Sequence, residues 1–510
     1  YRFFKSLLHH NHTALNTIAD MEQVYYSGKP FSLTSARIQY EQLLEAVMGV
    51  IHNLDAMSGG RYFSLLDVCN AIDDELFEKF SPKCSLISKD IALPFEDITP
   101  EMKKIVGAKA ANLASIKNEL GLPVPHGFAV TSYAFERFME ENRLTKPIEE
   151  ELSRLSPESY GDIEKAGNKI RDMILRSEVP SYIADAIMKA YMALEGKTLK
   201  GVRIAMRSSA IGEDTEATFA GQYSTVLNVT KNNIIDAYKA VLASKYSARA
   251  ISYRLHHGLE DRETPMCVAG VVMVDSKASG VMYTVDPSLA RSCAIQINSI
   301  WGLGEYLVNG SASPDVFLVE RKEREILERH ISRKESKLIS LPDGGTKLTD
   351  VPDNEKERQS INDSTIVQLS EYGLMLEEFY ESPQDIEWAV NAECRPFILQ
   401  SRPLNLPEIN IYTDDTRREY PDNPILLSNG KTASAGIATG KVFMLKHESE
   451  LDKIPENSIL VVKTMSPNYA KVMGRIKGII SDIGSVTSHL SSVAREFGIP
   501  AIVDAQNATS

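Results

Sequence analysis

Two short segments studded with polar residues decide the fold: Gln384-Asp385-Ile386-Glu387-Trp388 and Pro396-Phe397-Ile398-Leu399-Gln400-Ser401-Arg402-Pro403. Alternation along a strand places Asp385 and Glu387 on one face of the first segment, and Gln400 and Arg402 on one face of the second. If the segments pair, these four polar groups converge. Carboxylate and amide oxygens suit Mg²⁺, and an arginine can grip a phosphate with two parallel hydrogen bonds. An ordinary half-exposed hairpin with salt bridges fits the residues equally well.

Two segments earlier in the chain place a cation beside small residues. Residues 203–210 read as a strand that delivers Arg207 into Ser208-Ser209-Ala210, where backbone N–H groups and hydroxyls could cradle phosphates. Residues 107–113 place Lys109 at the start of a helix, as a mobile cation for phosphate. Neither segment matches a Walker A loop or G-x-G-x-x-G. Each segment taken singly is therefore better interpreted as a lysine or arginine that faces solvent.

Near the C-terminal end, a strand at 478–482, a turn at Gly484 and a helix at 488–497 are predicted in succession. The helix should bury one apolar face and end at Gly498; that face is formed by Leu490, Val493, Ala494 and Phe497. His489 falls on the first turn, at the rim of this face. A helix N-terminus favours a neutral imidazole and stabilises an attached anion, which suits a phosphorylated histidine. Spacing alone favours an ordinary hydrogen-bonded histidine.

Length and composition describe a multidomain globular chain. Its 510 residues exceed what one hydrophobic core supports, and 43% hydrophobic with 25% charged residues excludes collagen-like or disordered material. A net charge of −13 repels nucleic-acid phosphates and anionic membranes, and no apolar run is long enough to span a bilayer. We therefore expect a cytoplasmic protein with no nucleic-acid or membrane partner. The five dispersed cysteines lack C-x-x-C spacing, which predicts reduced, buried thiols.

Residues 1–88 are predicted to form a helical N-terminal domain. Apolar residues recur at helical spacing in 35–54 and 62–80, and no segment alternates like a strand. Three clustered histidines lack acidic or thiol partners at ligand spacing, which favours surface or core roles over metal binding; they are His9, His10 and His12.

The remainder of the chain divides by periodicity and composition. Residues 100–404 mix strands and helices and are predicted to form one domain of two subdomains, split near residue 265. Its charge-rich segment 321–363 is predicted to form surface hairpins and loops. Residues 405–429 carry prolines and a charge cluster, which predicts an interdomain linker, and 430–510 form the last domain.

Taken together, these segments resemble the phosphoenolpyruvate-utilising dikinase family, which includes phosphoenolpyruvate synthase, pyruvate phosphate dikinase and the rifamycin phosphotransferases. The resemblance runs over residues 105–503 and is also carried by Gly121-Leu122-Pro123-Val124-Pro125, Trp301-Gly302-Leu303-Gly304-Glu305 and Thr487-Ser488-His489. It implies an α+β multidomain fold: the N-terminal helical domain, an ATP-grasp-type nucleotide-binding domain, and a swivelling β/β/α phosphohistidine domain. Residues 405–429 would be the hinge.

The resemblance also implies roles for individual residues. Family members cleave ATP to AMP and phosphate, pass the β-phosphoryl group to a histidine and then to an acceptor. His489 would be that carrier. The nucleotide site would consist of Lys109 and Arg207 on the phosphates, Glu387 and Gln400 on Mg²⁺, and Asp385 and Arg402 completing it.

The acceptor is expected to be pyruvate, giving phosphoenolpyruvate as in a pyruvate, water dikinase. Two alternatives stay open: the same first step with another small hydroxyl compound as acceptor, or a non-catalytic ATP-sensing interaction module. The family's pyruvate-binding barrel would follow the histidine domain, so we expect the chain to be a piece of a longer protein, with its acceptor domain beyond Ser510 or on a partner.

The chain departs from the family pattern at four places. Ser485 follows Gly484 where many relatives have a second glycine, and Asp504 stands where a glycine is usual. Val271 replaces a usual glutamine in the strand expected near the adenine, and His126 replaces a usual proline. These departures spare the phosphate-binding residues and bear on nucleotide affinity and docking.

Overall fold

The computed structural model describes residues 2–26, 33–80, 89–156, 159–212, 223–256, 259–285, 294–310, 312–404, 427, 430–464, 466, 469, 472–484 and 489–509. They form helices and several sheets, as expected of a multidomain α+β chain. No helix among these residues has the length and apolar character needed to cross a membrane. All but one residue of the predicted linker, 405–429, lie outside the described part.

The N-terminal region consists of the helices α1 (Arg2–Tyr26), α2 (Leu33–Ser58) and α3 (Ser64–Phe80). Helix α2 begins two residues before the predicted start at residue 35. A Cβ on Gly49 would lie 2.6 Å from Cγ of His10, so α1 and α2 approach closely there, with the imidazole against the glycine. His12 forms a hydrogen bond to Asn16 within α1. Gly49 therefore leaves room for the His10 ring between the first two helices.

The first sheet is antiparallel in the order β1-β2-β5-β3-β4. Its apolar residues, among them Ile204, Met206 and Val229, share a core with residues of the surrounding helices. The strands are β1 (Ala92–Pro94), β2 (Gly127–Val130), β3 (Ile204–Ser208), β4 (Thr225–Val229) and β5 (Val268–Val272). The helices are α4 (Lys103–Val106), α5 (Ala108–Asn118), α6 (Ser132–Glu141), α7 (Thr145–Leu152), α8 (Tyr160–Arg176), α9 (Ser181–Lys197), α10 (Ile234–Ser244) and α11 (Ala248–His256).

The second sheet is also antiparallel, in the order β13-β12-β6-β7-β8-β9. The chain crosses into it at 273–277, later than the expected split near 265. One face packs under α13 (Asp363–Tyr380), and β10 (Ser336–Ser340) and β11 (Thr346–Asp350) form a separate hairpin within the charged segment, as predicted. The other elements are β6 (Ala278–Tyr283), β7 (Ala294–Trp301), α12 (Glu305–Val308), β8 (Asp315–Glu320), β9 (Ile326–His330), β12 (Gln384–Val390) and β13 (Pro396–Pro403).

Helix α5 lies between these two sheets. Its buried residues share one hydrophobic core with Val271 of β5 and Ile398 of β13. The backbone N–H of Ile398 donates to the carbonyl of Pro123, which lies just after α5. Because α5 touches both sheets, it fixes the distance between the ends of β3 and the β12–β13 hairpin.

The third sheet has its own core and the order β14-β18-β17-β16-β15, parallel except where β14 meets β18. Its elements are β14 (Lys431–Ser434), β15 (Val442–Met444), β16 (Ser458–Thr464), β17 (Ile476–Ile483), α14 (His489–Glu496) and β18 (Ala501–Val503). Leu490, Val493 and Ala494 are buried as predicted, but Phe497 is 51% exposed. That part of the prediction is wrong because α14 ends at Glu496, and helical periodicity stops with the helix.

The end of α14 follows the Schellman pattern. The N–H of Gly498 donates to the carbonyl of Arg495, and the N–H of Ile499 to that of Ala494. Gly498 has φ +62°, a conformation that costs a glycine little. The stop signal predicted from Gly498 is therefore used as expected.

Candidate functional site

The β12–β13 hairpin places the predicted polar residues on one face. Glu387 lies opposite Gln400, and Asp385 lies opposite Arg402 in the antiparallel register. The opposite face, represented by Ile386, packs into the core under α13. The burial of this apolar face fixes the register, because a slip by one residue would turn the polar side chains into the core.

Arg207 reaches this face from the first sheet. Its Nη2 donates to Oε2 of Glu387 at 2.7 Å and to Oε1 of Gln400 at 2.8 Å. Its Nη1 donates to the carbonyl of Leu399 at 2.9 Å. One guanidinium from β3 thus joins a carboxylate on β12, an amide on β13 and the backbone between them.

The second ion pair of the hairpin is formed within it. Nε and Nη2 of Arg402 both donate to Oδ2 of Asp385, at 2.9 and 2.7 Å. Burial disfavours the charged guanidinium, but the adjacent Asp385 carboxylate outweighs it and raises the pKa of Arg402. Arg402 is therefore a fixed cation beside the Glu387–Gln400 pair.

The start of α5 is tied to the end of β3, which positions Lys109. Oγ of Ser209 donates to the carbonyl of Val106 at 2.8 Å and accepts the N–H of Ala110 at 3.1 Å. A Cβ on Gly107 would lie 1.7 Å from the carbonyl oxygen of Ser209, so only glycine allows this approach. The buried Ser209 hydroxyl is occupied by this tie. This tie fixes the start of α5, and the expectation that residues 208–210 cradle phosphate stays a prediction.

Three cations act on Glu387. Burial favours its neutral form, but the charge and hydrogen bond of Arg207, with the charges of Arg402 and Lys109, lower the pKa of Glu387 below its usual value. An ionised carboxylate oxygen and an amide oxygen therefore converge on one point, where Arg207 Nη2 now lies. This donor set fits a hard divalent cation such as Mg²⁺.

Two family models match this chain. Residues 103–413 match the family model described as pyruvate phosphate dikinase, AMP/ATP-binding domain, and 454–510 match that of the PEP-utilising enzyme, mobile domain. The chain belongs to the phosphoenolpyruvate-utilising dikinase family. The site just described lies within its AMP/ATP-binding domain.

Several curated dikinase-family proteins are similar to this chain. The probable phosphoenolpyruvate synthase of Methanothermobacter thermautotrophicus is 36% identical over 419 residues, covering 81% of this chain and 60% of that protein. The phosphoenolpyruvate synthases of Aeropyrum pernix and Aquifex aeolicus are 35% and 34% identical, covering 83% of this chain and 56% and 52% of their own lengths. The chain thus spans about half the length of the curated relatives it matches.

His489 belongs to the region matched by the mobile-domain model. The backbone of α14 begins at this residue, directly after the loop that follows β17. Residues 485–488 and the side chain of His489 lie outside the described part of the structure, so the predicted rim position of the imidazole stays a prediction.

Three of the four departures from the dikinase pattern lie in the described part of the structure. Val271 is 3% exposed and packs in the core with α5. Asp504 has φ +58°, the left-handed region where glycine is favoured, and pairs with Lys431 at 3.1 Å. His126 Nδ1 lies 2.9 Å from Nζ of Lys117. Ser485 lies outside the described residues.

Sequence reasoning missed two supports of the site. The carbonyl of Leu399 holds Arg207, and Oγ of Ser401 donates to Oε1 of Gln384 at 2.8 Å across the hairpin. A backbone carbonyl leaves no residue-type signal, so the first was not predictable. The second has a weak signal, a small polar residue beside Gln400 in a strand that is otherwise apolar on that face.

Proposed function

We propose that this chain carries out the first half of a dikinase reaction, in which the β-phosphoryl group of ATP passes to His489. A nitrogen–phosphorus bond forms at the imidazole, the bridge between the α- and β-phosphates breaks, AMP leaves, and water releases the γ-phosphate. The phosphorylated histidine then delivers its phosphoryl group to an acceptor. Membership of the dikinase family supports this reading.

The single observation that carries the proposal is the meeting of Arg207, Glu387 and Gln400 across two sheets. A guanidinium whose hydrogen-bond acceptors are a carboxylate oxygen and an amide oxygen can exchange them for phosphate oxygens. Lys109, at the start of α5, would supply a second cation to the same phosphates. Arg402 keeps its own partner, Asp385, so its charge stays in place during such an exchange.

Glu387 and Gln400 would hold Mg²⁺ once Arg207 turns towards the nucleotide. When bound, the ion would neutralise charge on the transferring phosphoryl group. The lowered pKa of Glu387 keeps its carboxylate ionised at neutral pH, as ligation requires. The positions of both oxygens beside one shared donor support this assignment.

The finer architecture belongs to the same proposal. Residues 100–404 would form an ATP-grasp domain, with the nucleotide between the first and second sheets. Residues 430–510 would be a swivelling phosphohistidine domain, and 405–429 its hinge. A carrier on a hinged domain separates the nucleotide site from the acceptor site, which protects the intermediate during transfer.

Pyruvate is the proposed acceptor, since the relatives that cover most of the chain are named phosphoenolpyruvate synthases. The pyruvate site would lie in a part of the protein that this chain does not include or on a partner. Transfer of the label to pyruvate should be measured with this chain alone and with the full-length protein. Transfer by the full-length protein only would support this arrangement. Transfer to another hydroxyl compound, with pyruvate inert, would favour the alternative acceptor.

The test of the first step is incubation of the chain with Mg²⁺ and ATP labelled at the β-phosphate. Acid-labile, base-stable label is expected on the wild-type chain and none on His489→Ala. The matched control is His447→Ala, an exposed histidine of the same region that should label normally. Absence of label on the wild type, with ATP binding intact, would overturn the phosphotransferase proposal and favour the ATP-sensing module.

A further inference from the structure

Strand β4 ends in a bulge that redirects one side chain. Val226 lies opposite Met206 and Val229 opposite Ile204, so two residues of β4 face one residue of β3. The bulged residue Asn228 has φ +55°, a left-handed conformation that asparagine tolerates better than most residues. It is 1% exposed although β4 is an edge strand. Something other than the first sheet therefore covers it.

The cover is the turn of the β10–β11 hairpin, residues 341–345. Nδ2 of Asn228 donates to the carbonyls of Leu341 and Gly345, both at 2.6 Å. The N–H of Gly345 donates back to the carbonyl of Asn228 at 3.4 Å. The amide orientation follows from chemistry, because the reverse would set Oδ1 against two carbonyl oxygens. Oδ1 is buried without a hydrogen-bond partner, so the side-chain amide of Asn228 bonds to this turn through its Nδ2.

The hairpin is in turn attached to the second sheet. The N–H of Leu303 donates to the carbonyl of Leu338 at 2.9 Å, and Gly302 pairs with Leu338 directly after β7. The turn therefore connects β4 of the first sheet to the segment that follows β7 of the second. We call the Asn228 side chain with residues 341–345 the latch.

Two neighbouring contacts reinforce the latch. Nη2 of Arg203 donates to the carbonyl of Pro342. The N–H of Asn228 donates to Sδ of Met273 at 2.9 Å, in the crossover between the two sheets. Arg203 and Arg207 lie near the two ends of β3, about 13 Å apart along an extended strand. The first is held by the hairpin turn, and the second by Glu387 and Gln400.

We propose that Asn228 is a positioning residue for the nucleotide site: its latch holds the first sheet against the second, so that β3 presents Arg207 to Glu387 and Gln400. The inference rests on the proposed nucleotide site and adds the element that sets its geometry. Asn228 touches no phosphate; it acts by limiting how far the two sheets separate. Loss of the latch should weaken nucleotide binding and leave the chemical step of bound nucleotide unchanged.

The test uses Asn228→Gly, which tolerates the positive φ and removes the side chain with both of its donors. The dissociation constant of α,β-methylene-ATP with Mg²⁺, whose reacting bridge cannot break, should rise about tenfold, equivalent to about 1.4 kcal/mol. The rate of β-phosphoryl labelling at saturating ATP should stay within about twofold of wild type. Hydrogen exchange at 341–345 should accelerate even without nucleotide. Asn228→Asp, which also tolerates positive φ, lacks both donors and sets carboxylate oxygens against the two carbonyls, so it should weaken nucleotide binding at least as much.

The matched control is Asn457→Gly, an asparagine with φ +58° beside the third sheet. Its affinity for the nucleotide should equal that of the wild type. Unchanged affinity and unchanged exchange at 341–345 in both Asn228 variants would overturn the latch. A wild-type chain that fails to bind the nucleotide would instead overturn the proposed function, and the exchange measurement would still decide whether Asn228 holds the turn.

Discussion

Two clusters of charge in the same AMP/ATP-binding domain are built from similar side chains and differ in how their partners are arranged. The site cluster is Arg207, Glu387, Gln400, Asp385 and Arg402; the buried cluster is Lys245, Asp261, Arg254 and Tyr246. The buried cluster lies wholly beside the first sheet, whereas Arg207 of the site cluster crosses to the second sheet. That difference separates charges that hold a fold from charges that can exchange partners.

The buried cluster is closed. Nζ of Lys245 donates to the carbonyl and to Oδ1 of Asp261, both at 2.7 Å, and Tyr246 donates to Oδ2 at 2.8 Å. The Lys245 side chain is 0% exposed, and burial lowers its pKa to about 8 despite the Asp261 carboxylate. Both oxygens of the Asp261 carboxylate therefore accept hydrogen bonds from residues of the same cluster.

The site cluster is open in comparison. The side chains of Arg207, Glu387 and Arg402 keep 18%, 27% and 26% of their surface accessible, whereas the cations of the buried cluster, Lys245 and Arg254, keep 0% and 4%, and only its Asp261 keeps 19%. Arg207 holds oxygens that a metal would also take, so its bonds are replaceable. The contrast teaches that a set of charges signals function when its partners come from separate elements and part of it stays accessible.

The largest expected effect is the loss of the buried pair. Lys245→Met should lower the free energy of unfolding by about 3–5 kcal/mol, because the carbonyl and the carboxylate of Asp261 would lose the buried ammonium that donates to both. Urea denaturation of the chain measures it. The control Lys165→Met lies on α8, where its ion pair with Asp162 faces solvent, and should change stability by less than about 1 kcal/mol. Equal effects of both variants would erase the distinction between closed and open clusters.

Glu387→Gln should lower activity strongly and stability only a little, the reverse of Lys245→Met. It should reduce β-phosphoryl labelling about 100-fold, since the proposed metal site loses its anionic ligand, while the unfolding midpoint falls only slightly. Labelling rates and urea denaturation on the same samples measure both. Glu393→Gln, in the turn of the same hairpin, is the matched control and should label normally. Normal labelling by Glu387→Gln would remove this residue from the site.

Arg207→Lys tests geometry rather than charge. Lysine keeps the cation but cannot serve Glu387, Gln400 and the Leu399 carbonyl with one planar group, so nucleotide affinity should fall about tenfold. Isothermal titration with α,β-methylene-ATP measures it. The same exchange in the closed cluster, Arg254→Lys, should lower stability by about 1 kcal/mol and leave affinity unchanged. An affinity loss in Arg254→Lys of the same size would contradict the assignment of roles.

The smallest effect is a pH dependence. Because neighbouring cations lower the pKa of Glu387 in the folded chain, its ionised form stabilises the fold above the ordinary carboxyl pKa. This stabilisation disappears as the pH falls through the lowered value. The difference in unfolding free energy between wild type and Glu387→Gln should therefore shrink steadily below pH 5. A difference that grows on acidification would show that burial, not the cations, dominates at Glu387.

Features that depend on residues close together in the sequence were predictable, and contacts between distant residues were not. The β12–β13 hairpin and the face shared by Asp385 and Glu387 follow from alternation, a local property. The end of α14 at Gly498 was predictable. The burial of Phe497 was wrongly predicted, because apolar periodicity does not indicate at which residue a helix ends. The hydrogen bond between Ser209 and Ala110 was not predictable, since the two residues lie 99 positions apart in the chain.

By itself the sequence determined which residue types are available and on which face of their own strand or helix they lie, because side-chain period is set by local backbone geometry. It also determined family membership through the order and spacing of its motifs. Only the tertiary structure decided that Arg207 meets Glu387, 180 residues away, and that Asn228 holds a turn that begins 113 residues later. Those contacts depend on how α5 and the two sheets pack, and packing is a property of the whole core.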